Sequence, residues 1–198
     1  MDLVSFISSD WRILLFVVLV FAVFVWNGIN RVRWELDWNA SGNRSLPIPE
    51  KRWSYDARDI EEFAGAAHRA GMLDSYRIAI LRRSDLCFAI ALAAITAFIW
   101  YRIAVTSMDW QILNWAALPL GAMAILYGIA DVAEDLKLAA ILSHPESIDN
   151  ADAAATNMLT RIKMVTLTLS VIGAVIFGII WLLETWAVRR RSPPPIPA

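Results

Sequence analysis

Four long apolar runs divide this sequence, and they constrain its fold more than any other feature. Ile13 to Asn27, Leu86 to Tyr101, Ile112 to Ala130 and Met164 to Leu183 carry no charged residue. The second run extends past Arg102 to Val105. A helix needs about 20 mostly apolar residues to cross a hydrocarbon core of about 30 Å. The third run has 19 residues and would rise about 28 Å as a helix. Lipid offers the backbone no hydrogen-bond partners, so segments that cross it this way are helical. Buried helices of a soluble protein are the competing explanation for any one run. Composition weighs against it for all four. Of 198 residues 58% are hydrophobic and only 19% charged, against about 45–50% and 25% in a soluble domain. The mean hydropathy is +0.51.

The expected architecture is therefore an all-α membrane protein with four transmembrane helices, at about 13–29, 86–105, 112–130 and 164–186. Residues 1–198 form one membrane domain. The first run lacks a basic leader, since Asp2, Asp10 and a single Arg12 precede it, so it reads as a retained anchor rather than a signal peptide. In the first loop, 31–84, helices are expected at about 57–70 and 74–84. Asp56 suits an N-cap, with Asp59 and Glu61 in the first turn. Ile60, Phe63, Ala64 and Ala67 share one helical face, and Gly71 suits a helix stop. This amphipathic helix is expected to be interfacial, lying on the bilayer or on the mouth of the bundle. The segment Asn-Ala-Ser-Gly-Asn-Arg-Ser at 39–45 marks a loop. The proline-rich end of the 189–198 tail is expected to be extended and mobile.

Aromatic residues prefer the membrane–water interface. An up-and-down path collects Trp11, Trp100, Tyr101, Trp110, Trp115, Trp181 and Trp186 on one side, and Trp26 and Trp34 on the other. The stretch Arg31–Arg83 carries ten Lys or Arg, and Lys137, Arg161 and Lys163 join them. Arg12, Arg102 and the triplet Arg189, Arg190, Arg191 fall opposite. The imbalance predicts cytoplasmic loops 1 and 3, although the triplet directly after the fourth run dissents.

Small residues let membrane helices approach closely. Ala89, Ala93 and Ala97 form one such stripe. Ala117, Gly121, Ala124 and Gly128 form a second, and Ser170, Ala174 and Gly178 a third. Continuing the second stripe reaches Asp131 and Asp135, with Glu134 beside them. Stepping back along the third through Leu167 reaches Lys163 and Thr160. Asp85, at the start of the second span, belongs to the same side. The candidate site is therefore a polar cluster of Asp85, Asp131, Glu134, Asp135, Thr160 and Lys163 at one mouth of the bundle. Its leading explanation is an ion pair that locks helices in register. A proton, ion or polar-substrate site is the alternative.

These residues also carry a resemblance. The chain resembles an uncharacterised family of four-helix bacterial inner-membrane proteins over roughly residues 55–185. The shared features are a loop helix running from Tyr55 through Gly71 to Tyr76, and an acid at Asp85. They also include Leu118-Pro119 opening a span that ends Asp131-x-x-Glu134-Asp135, and Thr160-x-x-Lys163 opening the next. Asp135 stands where the family pattern has Asn, and Ala70-Gly71-Met72-Leu73 departs from its Gly-Arg. The resemblance implies the fold, a bacterial inner-membrane location, and pairing among the Asp131, Glu134 and Lys163 positions. It implies no reaction.

Several kinds of chemistry leave no trace in the sequence. There is no phosphate-binding glycine loop and no nucleophile elbow. His68 and His144 have no partners at metal-ligand spacing, and neither lies in a span where a haem could be held. The lone Cys87 excludes a disulfide framework and reads as a small apolar residue. No cofactor, metal or catalytic residue is expected. With net charge −1 there is no bulk drive toward nucleic acid. The expected partners are the lipid bilayer and either further copies of the chain or a larger membrane complex. The leading expectation is a non-enzymatic structural, assembly or regulatory component. A small oligomeric ion or proton-coupled transporter comes second, and a lipid-modifying intramembrane enzyme third.

Overall fold

The computed structural model describes residues 11–41, 48–49, 52–106 and 111–191, with side chains for 19–35, 48–49, 52–105, 115–177 and 179–180. Among them every regular element is helical. The first helix, α1, spans Trp11–Ser41, and α2 spans Ala57–Arg69. A third helical rod, α3, runs without a break through Leu73–Ser75, a π-helical stretch Tyr76–Ser84 and an α-helix Asp85–Thr106. Helix α4 is Gln111–Ile141, and α5 is Asn150–Arg191. The prolines after Ser192, Trp110 and most of the 39–45 loop lie outside the described residues.

Three helical stretches are long and apolar enough to cross a membrane: Leu73–Val105, Trp115–Ile141 and Asn150–Phe177. Their solvent pattern is that of a membrane protein, with apolar side chains outward and polar ones inward. Trp115 is 75% exposed and Leu118 67%, whereas Glu134, Asp135 and Thr160 are completely buried. The helices outrun the apolar runs. At 31 and 42 residues, α4 and α5 are about 46 and 63 Å long, well beyond a core of about 30 Å. Hydropathy marks where lipid ends, but hydrogen bonding carries the helix further. The acidic segment Asp131–Asp135, just past the third run, lies within α4.

Among the four long helices, spatial order follows chain order. Helix α4 packs between α3 and α5, while α1 lies against α3 and α2. Where α3 meets α4 the small-residue stripes do the packing. A Cβ added to Gly128 would sit 2.6 Å from the Ala93 Cβ and 3.7 Å from the Ala89 carbonyl oxygen. Towards the other end of the bundle Trp100 closes the three-helix seam. Trp100 is 1% exposed, so it is a packing residue rather than part of an aromatic belt. Its Cβ lies against Gly121, where an added Cβ would sit 3.2 Å from it, and its indole against Gly173, where an added Cβ would sit 3.0 Å from the ring. Its Nε1 donates to Ser170 Oγ at 2.9 Å, and Ser170 donates to the Leu120 carbonyl at 3.1 Å. Tyr101 and Trp115 remain exposed, as interface residues should.

The opposite end carries a compact head. Asp56 caps α2 in a reciprocal box with Asp59: its side chain accepts from the Asp59 N–H, and Asp59 accepts from the Asp56 N–H. Gly71, at φ +67°, ends the helix, with Gly71 N–H bonding His68 O and Met72 N–H bonding Ala67 O. That left-handed turn favours glycine. The apolar face of α2 (Ile60, Phe63, Ala64 and Ala67) is buried against Tyr76, Leu138, Leu142 and Ala153. It is taken up by protein, not left for lipid. In the π stretch, i→i+5 bonding widens each turn. Tyr76, Ile80, Leu81 and Asp85 thereby face inward together, while Arg82 and Arg83 face outward.

Candidate functional site

The acids and the lysine meet where the head joins the apolar part of the bundle. From Asp85 to Tyr101 on α3 is sixteen residues, as it is from Trp115 to Asp131 on α4, about 24 Å in each case. Asp85 and Asp131 thus lie at one edge of the apolar zone, with Tyr101 and Trp115 at the other.

Lys163 Nζ, on α5, donates to Asp131 Oδ1 at 2.8 Å and lies 2.5 Å from Glu134 Oε2 as an ion pair without hydrogen-bond alignment. Tyr127, one helical turn before Asp131, donates to Asp131 Oδ2 at 2.7 Å. Thr160 Oγ1 is 2.6 Å from Glu134 Oε1, and the Tyr55 hydroxyl is 3.3 Å from that same oxygen and 3.1 Å from Thr160. A threonine hydroxyl has one proton to give. The short distance assigns that proton to Glu134, and the Tyr55 proton is shared between Glu134 and Thr160. All four carboxylate oxygens of Asp131 and Glu134 therefore face a donor or a cation. That is the environment of two ionised, acceptor-only groups.

Tyr55 enters from the first loop, outside the spans. Its backbone N–H bonds Asn157 Oδ1 at 3.3 Å, and the neighbouring Ser54 accepts from Arg161 at 3.1 Å. Burial, reinforced by the Glu134 charge, holds the Tyr55 phenol protonated well above its usual range, so it stays a donor. Tyr55→Phe is expected to cost about 1.5–3 kcal/mol, the range for a hydrogen bond to a charged group. Thermal unfolding in detergent, with amide exchange at residues 52–56, measures it. Unchanged stability together with unchanged protection would refute the role.

The structure brings Asp131, Glu134, Thr160 and Lys163 together. Asp135 is buried one residue beyond Glu134. Asp85 joins the site through a different partner. It accepts from Arg33 of α1 at 2.8 Å, in a pair buried on both sides. Arg33, Tyr55 and Tyr127 were missed as site residues in the sequence. Tyr127 had a signal, being four residues before Asp131. Arg33 and Tyr55 had none, because their partners lie 52 and 79 residues away.

Among the described residues no group of His, Cys, Asp or Glu is placed to hold a metal ion. His68 is exposed, and His144 is exposed beside Glu146. Cys87 is exposed on the outer face of α3 rather than packed inside. No protein-family model, curated protein or solved structure matches the chain.

Proposed function

We propose that this protein is a non-enzymatic structural or assembly component of the bacterial inner membrane. In this reading α1 supplies a fourth span through its 13–29 run, α2 lies at the headgroup level as the lid of the bundle, and loops 1 and 3 face the cytoplasm. Membership of the family of four-helix inner-membrane proteins, and association with further copies or a larger complex, belong to the same proposal.

The observation that carries it is the saturation of the Asp131–Lys163–Glu134 cluster. Each carboxylate oxygen is held by a group on α4, on α5 or in the Tyr55 loop. A carboxylate that carries protons or ions needs an oxygen open to exchange, whereas one that joins three segments has the arrangement found. The expected result in proteoliposomes is no pH- or voltage-driven flux, for wild type and Asp131→Asn alike, while the protein co-purifies from native membranes in a defined assembly. Flux that disappears in Asp131→Asn would establish the transporter instead. A reporter fused to the C-terminus tests orientation, and the expected result is an extracytoplasmic position. A cytoplasmic signal reverses the assignment.

A further inference from the structure

We propose that Arg82 and Arg83 form a binding site for the phosphate of an anionic lipid headgroup, at the level where α3 enters the bilayer. The inference rests on the membrane placement above and adds a ligand class to it. The stretch from Leu73 to Asp85 carries five charged residues: Asp74, Arg77, Arg82, Arg83 and Asp85. Asp74 and Arg77 neutralise each other at 2.8 Å. Asp85 is turned inward and bonded to the buried Arg33. Arg82 and Arg83 are left exposed on the outer face, with no ion pair to any described residue. The π-helical turns produce this division, since they let Asp85 face the interior with only Ser84 between it and two outward arginines.

Directly below the pair the same outward stripe becomes apolar. Cys87 is exposed, and Ile90 is 60% exposed. Seven residues separate Arg83 from Ile90, a descent of about 10 Å. Beside this stripe Trp26 of α1 packs against Phe88 of α3 in a tilted pair with ring centroids 5.2 Å apart, giving the α1–α3 seam an aromatic wall. Two guanidiniums above an exposed aliphatic stripe match one phospholipid, its phosphate at the arginines and a chain along the helix. Guanidinium donors suit phosphate oxygens in number and direction. Trp34 and Trp53, exposed on the same side, are suited to the headgroup level. An acidic protein would satisfy the arginines but not the stripe beneath them.

The test uses the full chain purified in a neutral detergent, titrated with dioctanoyl phosphatidylglycerol, dioctanoyl phosphatidylcholine or sodium phosphate. Bound species are counted by native mass spectrometry. The wild type is expected to bind the anionic lipid about 10- to 30-fold more tightly than the zwitterionic one, the effect of two bases near an anionic surface. R82Q/R83Q is expected to bring the two lipids within about twofold. R58Q/R69Q, which removes exposed bases of α2 that do not stand above the apolar stripe of α3, is expected to keep the preference. A preference that survives R82Q/R83Q, or is absent from the wild type, overturns the proposal. Displacement of phosphatidylglycerol by equimolar inorganic phosphate overturns it too, because the ligand would then be a free anion. Alkaline carbonate extraction of the same strains separates this from the membrane reading. A protein that stays in the pellet without lipid preference loses only the site, and a protein released to the supernatant loses the placement itself.

Discussion

Lys163→Met is expected to destabilise the protein by about 3–5 kcal/mol, the cost of removing one partner from a buried ion pair. For a chain of this size that is a fall in Tm of roughly 6–20 °C. The reason is local. Asp131 and Glu134 are 6% and 0% exposed, and without the ammonium two carboxylates face each other in a site that water does not reach. The charge left behind, more than the bond lost, makes the effect large. It follows that neutralising the acids should restore most of the loss. The triple variant Lys163→Met, Asp131→Asn, Glu134→Gln is expected to be much more stable than Lys163→Met alone. Thermal unfolding in detergent measures both. If Lys163→Met unfolds with the wild type, the cluster does not lock α4 to α5. If the triple variant is no better than the single one, repulsion between the acids is not the cause.

Gly128→Leu has the second large effect, and it tests a different contact. A Cβ at this position would lie 2.6 Å from the Ala93 Cβ, closer than two carbons approach without bonding. Both atoms belong to helix stems, so no side chain can rotate away and α3 must move off α4. Overpacking of this kind costs typically 1–3 kcal/mol. Gly128→Ala is expected within that range, and Gly128→Leu at about 3 kcal/mol or beyond. Combining Gly128→Ala with Ala93→Gly moves the methyl group across the interface and should recover much of the loss. Gly28, which has nothing within 4 Å of an added Cβ, serves as the control. Gly28→Ala is expected to leave Tm within a few degrees of the wild type. An unchanged Tm in Gly128→Leu would mean that α3 and α4 do not pack through these stripes.

The two sites show why some features were legible in the sequence and others were not. Gly128 and Ala93 lie on stripes spaced by three and four, which is the helical period, so each face could be identified before its partner was known. Asp131, Glu134 and Lys163 could be placed because they continue those stripes. Asp85 was assigned to the same mouth, but its partner Arg33 was one of ten bases in the stretch Arg31–Arg83. No spacing rule singles it out. Trp100 departs from its sequence context, at 1% exposed. Beside Tyr101 and after a long apolar run it has the sequence context of an interface tryptophan. It packs inward because Gly121 leaves room for its Cβ and Gly173 for its indole, and Ser170 offers its N–H an acceptor.

The sequence by itself determined that the chain is helical, where its apolar stretches run and which helix faces are small. Those are properties of neighbours three and four residues apart, and a helix expresses them locally. Only the tertiary structure decided that the first loop returns Tyr55 to the cluster and that α2 turns its apolar face to protein. It also decided that a π-helical stretch sends Asp85 inward while Arg82 and Arg83 remain outside. These outcomes depend on contacts between residues far apart in the chain and on the space left by other helices. A charge in the sequence has no assigned partner until packing excludes water from one side of it. In this protein the same few residues near Asp85 divide into a sealed ion pair and an exposed basic pair because packing turned Asp85 inward and left the two arginines outside.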